Sequence, residues 1–192
     1  MALRFLDDIA EIASPLTFRG EFSQSQDGNV RLLTIKDLVS MNPLDVKALS
    51  LVQAAKPASR ISIADQDILM PARGQNYPAR IVTNVLETIL PTGQVHIIRS
   101  RSVDPQYLIW FLNRKSTQAQ IASRLTGSTI QSLTKKELMK LKIEVPSREI
   151  QTMIGELNFL RLRREIARKE LQNIEDQEID EVCELAVRGQ NA

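Results

Sequence analysis

Residues 71–80, Pro-Ala-Arg-Gly-Gln-Asn-Tyr-Pro-Ala-Arg, gather Arg73, Gln75, Asn76, Tyr77 and Arg80 between prolines and beside a glycine. Arg, Asn and Gln are the side chains whose paired polar atoms match base edges in the major groove. A loop stiffened by proline presents such groups at a low entropic cost, so this stretch is the first candidate for base readout. An ordinary polar surface loop has the same composition, and composition does not separate the two. Arg19 and Gln24, within "TFRGEFSQSQ", repeat the pattern more weakly. Lys135 and Lys136 follow the Gly127–Ser128 turn at a helix start, a placement that suits phosphate contacts. Their plainer reading is solvation of that helix end.

Other chemistry finds no constellation. His96 is the single histidine and lies in the strand-like "QVHIIRS", which favours a structural role. A metal centre needs several His, Cys or carboxylate ligands at suitable spacing, and no such cluster occurs. Cys183 is the single cysteine and sits among acids, which raise rather than lower a thiol pKa. Ser128, in "GST", lacks the setting of a nucleophile elbow. No phosphate loop or dinucleotide fingerprint is present. The expectation is a chain without catalytic residues, metal or cofactor.

A net charge of +2 conceals a division. Residues 1–142 hold 18 Lys/Arg and 12 Asp/Glu, a net of +6; residues 143–192 hold 7 and 11, a net of −4. A basic body suits a polyanionic partner, although a mixed-charge solvated surface is the blander account. The apolar content of 43% supports a core, and aromatics at 4% make that core aliphatic. No apolar run is long enough for a membrane span, and the acids in "MALRFLDDIAEI" occupy the place of a signal peptide's apolar stretch. A lone cysteine fits a reducing cytoplasm.

The elements that must position these residues read as follows. "LRFLDDIAEI" is a short helical or extended lead-in. "NVRLLTIKDL" follows a turn at Asp27-Gly28-Asn29 and reads as a strand. "SRISIADQDILMPARG" suggests two short strands around Ala64-Asp65-Gln66. "ARIVTNVLETIL" and "QVHIIRS" are further strand candidates, separated by Pro91-Thr92-Gly93. Asp104-Pro105 then opens a helix with an N-cap and an N1 proline. Leu108, Phe111, Leu112, Ala119, Ala122 and Leu125 continue its apolar face, and Gly127 stops it. Thr134–Glu137 has capping-box form, with Leu133 and Leu138 as its staple. "KIEV" alternates as a strand and closes at Pro146. Ser147 caps a last helix that reaches about Val187, and its roughly 40 residues at ~1.5 Å each would span ~60 Å. Heptad positions Ile150, Leu157, Arg164, Leu171, Glu178 and Met153, Leu160, Ala167, Ile174, Glu181 describe a short coiled-coil seam interrupted by Arg164.

Residues 104–160, "DPQYLIWFLNRKSTQAQIASRLTGSTIQSLTKKELMKLKIEVPSREIQTMIGELNFL", resemble the specificity subunit of type I restriction–modification systems. The order matches: a "YL..FLN" helix, a "GST" turn, an "LTK..L..L.I..P" segment, then "EIQ..I" opening a long helix. Upstream, "LLTIKDL" and "DILMPARG" look like the family's "IKD" strand and "DIL…RG" segment. The resemblance implies a target recognition domain that reads double-stranded DNA, followed by a conserved helix acting as spacer and docking surface. It implies no chemistry in this subunit: the methyl donor and ATP would be bound by partner methyltransferase and restriction subunits. The family's usual chain carries two recognition domains and two conserved helices, whereas this one looks like half.

The expected architecture is therefore α+β. Residues 1–146 form a compact recognition domain with a bent, mostly β sheet and short helices. Residues 147–188 form a long coiled-coil helix for spacing and dimerisation, and residues 189–192 a tail. The leading function is a non-enzymatic DNA-sequence reader that positions catalytic partners; the alternative is a coiled-coil adaptor or regulator without specific DNA binding. Arg161–Lys169 holds five basic residues against Glu165, and Glu170–Glu184 holds seven acids and no Lys or Arg. That alternation predicts an antiparallel homodimer crossing near residue 169, with Met153, Leu157, Leu160, Ala167, Leu171 and Ile174 as its apolar seam.

Overall fold

The computed structural model describes residues 2–13, 23–24, 28–40, 44–53, 62–127 and 131–189. Arg19 and Ser128 lie outside them. The backbone groups into two compact units, Met1–Glu156 and Leu157–Ala192.

The first unit is built on three sheets. Strand β1 (Ala2–Phe5) runs through a single helical turn, α1 (Leu6–Ile9), into β2 (Ala10–Ala13). Strands β3 (Ser23–Gln24), β4 (Val30–Leu33) and β5 (Ser50–Gln53) are followed by β6 (Ile68–Pro71), β7 (Arg80–Ile81), β8 (Ile89–Pro91) and β9 (Val95–Ser100). A four-stranded antiparallel sheet has the order β2-β9-β6-β7, and a mixed sheet the order β3-β5-β4-β8, with β4 and β8 parallel. Strand β10 (Lys142–Val145) pairs antiparallel with β1, in register from Ala2↔Val145 to Phe5↔Lys142.

Period-2 geometry explains why β6 reads as an unbroken apolar run. Ile68 and Met70 point into one core with Ile98, Leu108, Leu112 and Leu138. Leu69 points into a second, with Leu33, Leu49, Val95 and Ile97. A strand buried on both faces has no polar face to display. The core is mostly aliphatic, as composition requires, with Tyr77, Tyr107 and Phe111 as its buried aromatics.

Three local readings are corrected. "NVRLLTIKDL" is not one strand: β4 ends at Leu33 and α2 (Ile35–Ser40) begins at once. Thr34 and Asp37 form a capping pair, in which the Thr34 amide donates to Asp37 Oδ2 at 2.8 Å and the Asp37 amide to Thr34 Oγ1 at 3.4 Å. Residues 62–64 form no strand; the chain turns at Gln66, φ +68°, before β6. The apolar face after Asp104 belongs to two helices, α3 (Pro105–Leu112) and α4 (Lys115–Ala122), with Asn113 and Arg114 between them. Gly127, at φ +101°, is a turn residue beyond the helix and not its stop.

The later capping signals hold. Thr134 Oγ1 accepts from the Glu137 amide at 3.2 Å at the start of α5 (Lys135–Met139), with Leu133 and Leu138 both buried. Asp104 Oδ1 accepts from the Gln106 and Tyr107 amides at 2.9 and 3.3 Å. Helix α6 runs Arg148–Gly189. Its opening belongs to the first unit: Gln151 Oε1 accepts from the Asp104 amide, Gln151 Nε2 donates to the Pro146 carbonyl, and Arg148 pairs with Asp104. A Cβ on Gly155 would stand 2.8 Å from Gln106 Cβ, so glycine is what allows α6 to approach α3 there.

In the second unit, every side chain from Ala167 to Gly189 is exposed. Leu157, Leu160, Leu171 and Ile174 are more than half exposed, and so are Ile179, Val182 and Leu185. Met153, in the first unit, is likewise exposed.

Candidate nucleic-acid interface

The loop after β6 is held by side chains rather than by a sheet. Gly74 takes φ +123°, a conformation that β-carbon sterics deny to most residues. That turn lets its amide donate to the Gln131 carbonyl at 3.0 Å. The same carbonyl accepts from the Tyr77 hydroxyl at 2.8 Å. Asn113 then grips Ala79 as a backbone strand would: Oδ1 accepts from the Ala79 amide and Nδ2 donates to its carbonyl, both at 2.9 Å. Gln118 Nε2 donates to the Tyr77 carbonyl at 3.0 Å and to the Leu112 carbonyl at 2.8 Å. The break between α3 and α4 thus frees Asn113 from helix packing and turns its amide onto the loop. The Leu133 amide donates to Ala72, and Ser132 pairs with both Arg73 and Thr126, which ties the segment around Gln131 to the same place.

A cleft of about 490 Å³ opens here, with Gln75, Asn76, Tyr77, Arg80, Asn113 and Gln131 among its walls and no carboxylate among its described lining residues. Arg73, Gln75 and Asn76 are exposed, and their side chains make no hydrogen bond among the described residues. Tyr77 is different. At 4% exposure, with its hydroxyl bound to Gln131, it packs into the loop's base while still lining the cleft. Arg80 is half-buried and leans on the Ala79 carbonyl at 3.5 Å; burial lowers its guanidinium pKa from the usual value, which leaves it a cation.

The remaining candidates are dispersed. Lys135 and Lys136 are exposed on α5, and Lys136 shares a hollow with Asp7, Asp8 and Phe5. Those carboxylates offset its attraction for phosphate. Gln24 lies in β3. His96 is buried, and the Leu133 carbonyl sits 2.7 Å from Nε2, so Nε2 carries the proton and the ring is a structural strut. Burial, the largest effect, lowers its pKa, and Lys135 adds to the lowering. Among the described residues no cluster of His, Cys, Asp or Glu could hold a metal ion. No described helix is long and apolar enough to cross a membrane.

Sequence reading missed Asn113, Gln118 and Gln131. Asn113 stands in the "FLN" of the resemblance, but nothing in the sequence links it to a loop 34 positions earlier.

The chain belongs to the type I restriction–modification DNA specificity domain family, whose model matches residues 1–176. The description of that family is one of DNA specificity. No curated protein sequence matches the chain. Solved structures do. One, described as the structural basis of complex assembly and conformational transition of the type I R-M system, matches with a TM-score of 0.68 at 15% identity over 94% of this chain. The HsdS subunit from Thermoanaerobacter tengcongensis matches at 0.59, with 15% identity over 87%. The S subunit from M. genitalium matches at 0.56, with 14% identity over 81%. The chain spans 43%, 38% and 37% of those structures respectively.

Proposed function

We propose that this chain reads a short duplex DNA sequence through the loop that follows β6 and uses α6 to position a methyltransferase partner and, in a restriction complex, a restriction subunit. The observation that carries the reading is the clamped loop, which presents Arg73, Gln75 and Asn76 with no side-chain hydrogen bond among the described residues. A backbone already held in place leaves only the side-chain rotamers to be ordered at a base edge, and Arg is the commonest bidentate partner of guanine. Lys135 and Lys136 are assigned phosphate contacts, Arg19 and Gln24 a weaker share in base readout, and Arg80 the support of the cleft wall. The test is fluorescence anisotropy on duplexes enriched from a random pool, titrated with salt. Wild type is expected to bind with a steep salt dependence, and Arg73→Ala to lose about 1–3 kcal/mol on the enriched sequence alone. Equal affinity for enriched and scrambled duplexes would sink the reading and favour a plain coiled-coil adaptor.

Assembly follows from α6. An antiparallel pair crossing at residue 169 sets Arg163 opposite Glu175 and Arg168 opposite Glu170, and covers Leu157, Leu160, Ala167, Leu171 and Ile174; Met153 extends the same seam. A parallel pair would set like charges side by side. Two-fold symmetry makes the target two inverted half-sites. Light scattering is expected to give a dimer. In a Cys183→Ser background, Arg161→Cys and Gln177→Cys together should cross-link 161 to 177, and cross-links between equivalent positions would refute the arrangement.

A further inference from the structure

We propose that Gln131, together with Gln75 and Asn76, forms a carboxamide triplet that selects adenine in duplex DNA, and that Asn113 is the positioning residue for it. This rests on the reading of the loop as the DNA-contacting element and names the residue and base that the reading leaves unspecified.

Gln131 lies more than 50 positions from the loop in sequence, yet its backbone is fastened to the loop twice. Its carbonyl accepts from the Gly74 amide at 3.0 Å and from the Tyr77 hydroxyl at 2.8 Å. Its own side chain is exposed, lines the cleft and makes no hydrogen bond among the described residues. Main-chain anchoring with an idle carboxamide is the arrangement expected of a reader, because the side chain contributes nothing to holding the fold. Gln75 and Asn76 stand on the same cleft in the same condition.

The chemistry of the cleft selects the ligand. A carboxamide offers one donor and one acceptor side by side, which matches adenine N6 and N7, whereas guanine presents two acceptors on that edge and suits a cation. The cleft's cation, Arg80, is half-buried and leans back on Ala79. The carboxamides are what the cleft presents outward, and among its described lining residues no carboxylate stands to repel the phosphates flanking a base.

Asn113 and Gln118 also carry carboxamides in the cleft, but these are committed. Asn113 holds the Ala79 amide and carbonyl and the Ile109 carbonyl, and Gln118 holds the Tyr77 and Leu112 carbonyls. They fix the path of residues 77–79 and with it the placement of Gln75 and Asn76. Asn113 therefore acts through the loop and not on the base.

The experiment uses the full chain and a randomised duplex pool, with sequence preference read position by position and thermal melting as a control on folding. Wild type is expected to enrich adenine at one or more positions. Gln131→Ala should melt like wild type and relax adenine preference at one position about 5- to 150-fold, the effect of losing one bidentate contact. Gln131→Glu, which loses the donor facing adenine N7 and gains an acceptor, should shift that position toward cytosine. Asn113→Ala should lower preference at every position read by the loop while affinity for scrambled duplex stays unchanged. A Gln131→Ala profile identical to wild type, or a wild-type profile with no adenine at the affected position, would overturn the proposal. No sequence preference in wild type at all would instead overturn the function proposed above.

Discussion

Residues 148–156 and 157–189 belong to one helix and obey different rules. The first stretch is specified by partners: Gln151 and Arg148 bind Asp104, Ile154 packs on the core, and Gly155 is small because Gln106 is near. The second stretch is specified by itself. Its apolar residues are exposed, and its polar contacts are local pairs such as Arg161 with Glu165 at 3.4 Å and Arg188 with Glu184 at 2.8 Å. Exposed pairs of this kind contribute a few tenths of a kcal/mol each, so helix propensity and, in the proposed dimer, the second chain supply the rest. The lesson is that continuity of a helix says nothing about continuity of what stabilises it. The glycine that weakens α6 by propensity is what seats its first turns.

The contrast can be tested from its largest consequence downward. Leu108→Ala, in the core, should lower unfolding free energy by about 2–5 kcal/mol in a urea titration followed by Trp110 fluorescence. Leu171→Ala should leave that same transition within about 0.5 kcal/mol, and its effect should fall on the concentration dependence of self-association. A comparable loss from both would erase the distinction.

Gly155→Val is next. Its branched side chain meets Gln106 Cβ and the Tyr107 amide, and overpacking of this kind costs about 1–3 kcal/mol. A valine at an exposed site of the second stretch outside the seam, Gln172→Val, should cost only the propensity difference of about 0.5 kcal/mol. Circular dichroism at a single denaturant concentration distinguishes them. Asp104→Ala removes an N-cap and the partner of Arg148, with an expected loss of about 1 kcal/mol.

The smallest effect is one of pH. Burial depresses the His96 pKa below 6.5, so the folded state prefers the neutral ring. The stabilisation is complete above the unfolded value and is lost as pH falls through the folded one, because the unfolded chain takes up the proton first. Melting temperature should therefore decline below about pH 6.5, and His96→Gln should flatten that decline. A steeper decline in the variant would assign the pH sensitivity to carboxylates elsewhere.

Much of the architecture is legible in sequence because it is locally encoded. Asp104-Pro105 and Thr134–Glu137 announce helix starts, since a cap and its amides lie within four residues. Thr34–Asp37 carried the same signal within an apolar run, and the run misled because alternation over a few residues suits strand and helix alike. The split of α3 from α4 was not legible: an apolar face continues across Asn113, and at the break Asn113 bonds to Ala79, in a loop far away along the chain.

The loop proposed for readout divides in the same way. Its composition marks Arg73, Gln75 and Asn76 from the sequence alone, because a side chain's hydrogen-bonding pattern is a property of the residue. Burial is not such a property, and Tyr77 turned inward. The sequence by itself determined the helix caps, the apolar strands, the charge blocks of α6 and the kinds of polar group the loop displays. Only the tertiary structure decided which of those groups are held in place and which are left to act, because that depends on pairs such as Ala79 with Asn113 and Tyr77 with Gln131, whose separation along the chain carries no local signal.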